Sequence, residues 1–158
     1  MYRSATLSDI DAIQTLFWKV IKANPAYISH GELQMGIADD IGVFSEDGPR
    51  KWTEYITGKI GASCSHVYVC ESEGALCGFI VTEVVSDNDK PFGMVCDLVV
   101  DEQMRGQGVG KALLGKGLDW LRGQGVEHFY LESGVNNHNA HEFFENQGFR
   151  MVSHIFRL

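Results

Sequence analysis

Basic residues are in short supply in this 158-residue chain: 13 lysines and arginines stand against 21 aspartates and glutamates, a net charge of −8. A field of that sign repels phosphate backbones and anionic lipid surfaces, so neither nucleic acid nor membrane is an expected partner, whereas a cation would be drawn in. The opening residues, Met-Tyr-Arg-Ser-Ala-Thr, hold no apolar signal core, and no stretch approaches the length of a membrane span. Cys64, Cys70, Cys77 and Cys96 lack Cys-x-x-Cys spacing, and three of the four lie in or beside apolar β-like runs. Buried, reduced thiols are therefore expected, and zinc is not. A reducing cytoplasm fits both absences. No Gly-x-Ser-x-Gly elbow and no metal-spaced histidine pair is present, which leaves hydrolase and metalloenzyme chemistry without support. Repeats, linkers and low-complexity segments are missing too, so residues 1–158 read as one domain long enough to bury a core.

What is present alternates between two periods. Tyr2 to Ala5 reads as a short strand, and Ser8 with Asp11 forms a helix-start signature. The following helix puts Ile10, Ile13, Leu16, Phe17, Val20 and Ile21 on one face and stops at Asn24-Pro25. A helix is predicted over Pro49 to Ile60 and a shorter one around Glu32 to Ile41, in a segment that also carries Tyr27, His30, Met35 and Phe44. His66 to Glu71 and Leu76 to Val85 form a hairpin, Asp87 to Pro91 a loop, and Phe92 to Val100 a strand. Leu113, Trp120, Leu114, Leu118 and Leu121 mark the main helix, ending near Gly123 to Gly125. Then come a strand over Phe129 to Ser133, a helix over Asn137 to Gln147 closed by Gly148, and a last strand over Met151 to Phe156. The order is that of an α/β domain with a mixed sheet.

The chemistry concentrates between the strand ending at Val100 and the main helix. Gly106, Gly108 and Gly110 alternate there, so no Cβ shields the backbone and several N–H groups can converge on one ligand. The helix that follows adds its positive end, typically ~0.3 to 1 kcal/mol for an anion and up to ~2 when partly buried. Arg105 and Lys111 bracket the turn. Two familiar phosphate motifs fail. A P-loop would need Gly where Arg105 stands and Ser or Thr where Ala112 stands, and the dinucleotide fingerprint would need its third glycine one residue later.

What remains, Arg105-x-x-Gly108-x-Gly110 directly after a strand, resembles the acyl-CoA-binding motif of the GNAT superfamily of N-acetyltransferases. A second stretch, Asn137-x-x-Ala140-x-x-Phe143-Phe144-x-x-x-Gly148-Phe149, is similar to another motif of that family. The resemblance covers nearly the whole chain. It implies an α/β (α+β) fold with a mixed, mostly antiparallel central sheet of six to seven strands flanked by about four helices. It also implies acetyl-CoA as cosubstrate, with no metal. Leu98, Val99 and Val100 would pair with the pantetheine arm and offer an oxyanion donor. Arg105, Gly106, Gln107, Gly108, Val109, Gly110 and Lys111 would hold the pyrophosphate, and Asn137 and Phe144 would line the arm. The variable segment from Ala26 to Ser63 would cover the acceptor.

The reaction implied is direct attack of a primary amine, of a small molecule or a peptide N-terminus, on the acetyl thioester. Deprotonating a lysine-like amine of pKa ~10.4 at pH 7 costs about 4 to 5 kcal/mol, and an α-amino group near ~8 about 1. Leu131-Glu132-Ser133 before Asn137 resembles the segment that supplies the base in ribosomal-protein alanine N-acetyltransferases, which makes Glu132 the candidate base. A role for Glu132 in binding a neighbouring backbone group or cation is as well supported, and Glu83 and Asp97 are weaker candidates. Where the family carries a Tyr that protonates the leaving thiolate, this chain has Phe144, which holds no transferable proton. A thiol of pKa ~8.5 still leaves tolerably near neutral pH. Phe144 also motivates the alternative, a non-catalytic acyl-CoA-binding sensor or interaction module. Homodimers are common in the family, so one is open to this chain.

Overall fold

A computed structural model describes residues 1–86 and 89–158. The expected loop from Asp87 to Pro91 begins on the two residues outside it. β1 (Tyr2–Ser4) leads through a 3-10 turn (Leu7–Asp9) into α1 (Ile10–Ala23), and a second 3-10 turn (Pro25–Tyr27) into α2 (His30–Met35) and α3 (Gly48–Gly61). β2 (Ser65–Ser72), β3 (Ala75–Val85) and β4 (Phe92–Val100) follow, then α4 (Val109–Gly123), β5 (Phe129–Leu131) and α5 (His138–Asn146). The strands form one mixed sheet in the order β1-β2-β3-β4-β5, antiparallel except for the parallel pair β4 and β5. Five strands and five α-helices thus stand among the described residues where six to seven strands and about four helices are expected.

The difference lies at the C-terminus. Residues 151–158 form no strand and are exposed, with Met151 58% and Phe156 91% accessible. The sequence Met-Val-Ser-His-Ile-Phe places apolar residues in adjacent pairs, so neither face of a pleated strand would be consistently apolar. The start of α1 also differs. Asp9, not Asp11, accepts from the Thr6 amide (2.7 Å) and hydroxyl (3.0 Å), and so opens the turn before the helix. α2 is shorter than expected because Gly36 takes a left-handed conformation (φ +70°) and ends it.

Alternation along the strands divides the core into two layers. Val67, Val69, Phe79 and Val81 meet α1 and α3 on one face, where Phe17 stacks on Trp52 with centroids 4.1 Å apart. Ile80 and Val95 meet Leu113 and Leu114 of α4 on the other, with Phe143 and Phe144 of α5 packed at the edge. Cys70 and Cys77 are buried in this second layer, Cys96 is partly buried, and Cys64 is exposed, contrary to expectation for that thiol. Burial pushes the Cys77 thiol up to about 11, with Cys70 beside it adding to the shift. No helix among the described residues is long and apolar enough to cross a membrane.

Candidate active site

Two irregularities in β4 open the site. Its pairing with β5 covers only Gly93, Met94 and Val95 against Phe129, Tyr130 and Leu131, and beyond Val95 the two strands part. On its other edge Val81 pairs with Asp97 but Thr82 with Val95, so Cys96 is an inserted residue. Such a bulge bends the strand and re-aims side chains. Val95 packs in the α4 layer, yet Cys96 and Asp97 both face the α1 and α3 layer, where the Tyr55 hydroxyl donates to Asp97 Oδ2 at 2.6 Å.

Between the parted strands lies a cavity of about 520 Å³. One end is the glycine turn. Gly106 (φ +73°) and Gly108 (φ +82°) occupy the left-handed region, and a Cβ on either would meet nothing within 4 Å, so the backbone there is open to a ligand. Gly108 caps α4, whose first N–H groups have no partner within the helix. Arg105 lies over the Tyr27 ring, 5.6 Å from its centroid, and donates to the Val100 carbonyl at 3.4 Å. Lys111 is exposed on the first turn of α4.

The other end is acidic. Glu32, Asp97 and Glu132 all line it. Glu32 is bound by the Ser29 amide and hydroxyl, each at 2.7 Å, in the cap of α2. His30 Nδ1 donates to Glu132 Oε2 at 2.8 Å, with both side chains 40% exposed. This bridge rests on a tight backbone contact: a Cβ on Gly134 would sit 2.5 Å from the Ala26 carbonyl oxygen and 2.6 Å from that of Ile28. His141 Nε2 donates to the Gly134 carbonyl at 2.9 Å, holding the same segment from α5. Burial raises the Asp97 carboxyl to about 6, against the lowering effect of the Tyr55 hydrogen bond, with Glu32 raising it further and Lys59 lowering it. Behind it Lys59 pairs with Glu83 at 2.6 Å.

Of the residues expected from sequence, Leu98, Val99, Val100, Arg105, Gly106, Gly108, Val109, Gly110, Lys111, Glu132, Asn137 and Phe144 line this one cavity. Gln107 does not. Its amide turns back to the Gln103 carbonyl at 2.9 Å and its side chain is exposed. Asn137 caps α5 by accepting from the Ala140 amide at 3.3 Å. Phe144 stands edge-on to Phe143 and Phe149. Glu32, Ser29 and Tyr27 join the wall unannounced by any motif, and so does Ser133, which the sequence shows only as the neighbour of Glu132. The Ser133 hydroxyl is buried with no hydrogen-bond partner among the described residues, as befits a group that meets a ligand.

A cavity with backbone donors and cations at one end and carboxylates at the other is built to bring an elongated anion against a cation. The sequence model of the Acetyltransferase (GNAT) family matches residues 35–149, and the chain belongs to that family. It is 40% identical over 85 residues to a mycothiol acetyltransferase of Propionibacterium freudenreichii, a match spanning 52% of this chain and 27% of that protein. The chain covers about half or less of the length of most curated relatives it matches. Among solved structures, a tetramutant of the BH1408 protein of Bacillus halodurans superposes with a TM-score of 0.80 at 19% identity, covering 100% of this chain and 98% of that one. The aminoglycoside N-acetyltransferase AAC(6')-Iy in complex with CoA does so with a TM-score of 0.72 at 13% identity, covering 100% and 92%.

Proposed function

We propose that residues 1–158 act as one acyl-CoA-binding domain that transfers an acetyl group from acetyl-CoA to a primary amine of a small molecule or peptide N-terminus, by direct attack. The observation that carries this reading is the single cavity joining the open glycine turn to a carboxylate-lined end. The residues suit the donor. The Gly106 and Gly108 backbone, the start of α4, Arg105 and Lys111 would hold its pyrophosphate, and Leu98 to Val100 with Asn137, Phe144 and the buried Ser133 hydroxyl would line its arm. When bound, the cosubstrate supplies an activated acetyl thioester. The protein's part is to orient it and the amine, an effect worth ~7 to 11 kcal/mol in favourable cases, and to offer an N–H to the developing oxyanion.

Glu132, the candidate base from sequence, would touch the amine on the acceptor side, where His30 orients it. Mycothiol and aminoglycoside acetyltransferases among the similar proteins make amino sugars and related amines the first acceptors to try. A cytoplasmic setting supplies the donor, and a homodimer is compatible with the reading.

The test is a thiol-release assay with acetyl-CoA against aminoglycosides, polyamines, amino acids, arylamines and peptides with free N-termini. Turnover on one class is expected, with kcat/KM falling at least tenfold in Glu132→Gln. Tight acetyl-CoA binding by calorimetry without turnover on any class would favour the non-catalytic sensor reading instead, which Phe144 motivates.

A further inference from the structure

We propose that the proton shed by the attacking amine passes to Asp97, held in place by Tyr55, while Glu132 and His30 bind the amine at the mouth of the cavity. The inference rests on the transferase reading above. Asp97 stands one residue before Leu98, at the point where β4 has parted from β5, and so closer along the strand to the proposed oxyanion donors than any other carboxylate of the wall. The bulge at Cys96 turns it off the α4 face and into contact with Tyr55. Without the inserted residue its side chain would alternate to the wrong layer.

The surroundings make Asp97 a proton acceptor rather than a fixed charge. Tyr55 and Lys59 face it from α3, Glu32 from α2, Glu83 lies behind Lys59 on β3, Cys96 is its neighbour on β4, and Glu132 shares the cavity. Burial and Glu32 oppose its ionisation, while Tyr55 and Lys59 limit that opposition, so its carboxyl lies at about 6, near the working range of a general base. Glu132 differs. It is 40% exposed and already holds His30. The step balances as follows: the nitrogen lone pair bonds to the acetyl carbon, and an N–H proton goes to the Asp97 carboxylate. The electron pair of the C–S bond leaves with sulfur, which is protonated from solvent, and Asp97 returns its proton to solvent.

Tyr55 is a positioning residue here, and its effect has a sign. Its hydroxyl stabilises the charged carboxylate, so Tyr55→Phe is expected to move the acid limb of kcat/KM upward by roughly one pH unit. A Tyr55 that only packs would lower the rate at every pH and leave the limb in place.

The experiment measures kcat and KM from pH 5 to 9, with acetyl-CoA and the best amine of the panel, for wild type, Asp97→Asn, Tyr55→Phe and Glu132→Gln. Expected are a limb near pH 6 in wild type, a loss of ~10²-fold or more in kcat with the limb abolished in Asp97→Asn, and a change chiefly in KM in Glu132→Gln. Unfolding curves and acetyl-CoA calorimetry on each variant separate misfolding from lost chemistry, and a carbon-13 NMR titration of the Asp97 carboxyl in wild type and Tyr55→Phe gives the same shift without turnover. An Asp97→Asn enzyme that keeps its rate and its limb, or a limb that vanishes in Glu132→Gln instead, overturns the assignment and leaves the transferase reading standing. Wild type that acetylates no amine overturns both.

Discussion

Gly134 shows how a single missing Cβ supports the acceptor side. Its backbone lies against the carbonyls of Ala26 and Ile28, and through them it sets the distance between α2, which bears His30, and the segment that bears Glu132. Gly134→Ala is expected to push these apart, costing about 1 to 3 kcal/mol of stability as an overpacked contact. It should also lower kcat/KM at least tenfold. Urea unfolding and the thiol-release assay check the two effects separately. At this scale the sequence was only partly legible. The open glycine turn could be read because alternating glycines leave the backbone uncovered beside Arg105 and Lys111, and the cap at Asn137 because such a residue announces itself. The role of Gly134 could not, since a close approach depends on a loop 108 residues earlier in the chain, at Ala26. Asp97 was visible as a carboxylate in an apolar strand, but the face it points to depends on one inserted residue that alternation alone does not reveal.

Among the elements, the entry to α1 carries a compact charge cluster. Arg3 on β1 grips Asp9 with two hydrogen bonds, 2.8 and 2.7 Å, and also pairs with Glu71 on β2. The Arg3 guanidinium holds the Asp9 carboxyl well below the usual carboxylate range, with the Thr6 bonds adding to the effect. Because the folded value lies below the unfolded one, this contribution is complete above about pH 4 and is lost as the pH falls further. Asp9→Ala is expected to cost about 1 to 2 kcal/mol at pH 7, a figure that allows for the partial exposure of Arg3. The difference between variant and wild type should shrink toward pH 2, as denaturant titrations at several pH values would show. The order and kind of the elements from β1 to α5 were legible from periodicity, and β4 to the residue. The last strand was not, because the apolar run over residues 151–156 is β-like in composition but its pairs do not alternate, and no strand edge among the described residues receives it.

For the whole molecule, net charge and the glycine turn act in opposite senses on an anion. A net charge of −8 disfavours approach of an anion such as the proposed donor at long range, and on that reading the local cations and amides of the turn would have to overcome it. Donor binding is therefore expected to tighten with added salt at low ionic strength, before direct screening of Arg105 and Lys111 reverses the trend; calorimetry across a salt series measures it. The exposed tail contributes little packing, so removal of residues 151–158 should leave the unfolding midpoint within ~2 °C. Saturating acetyl-CoA at ~100 times its Kd should instead raise that midpoint by roughly 5 to 10 °C in a thermal-shift experiment.

The parting of β4 and β5 gives such a stabilisation a place to act. A sheet whose final strand is joined by three residue pairs leaves half of β4 without a neighbour on that edge, and a ligand arm lying there would take the place of the missing strand. The cosubstrate then becomes a member of the fold as well as a reactant. If the donor does lie there, the donor-free domain is expected to be cut sooner at its open edge, which limited proteolysis with and without acetyl-CoA would show.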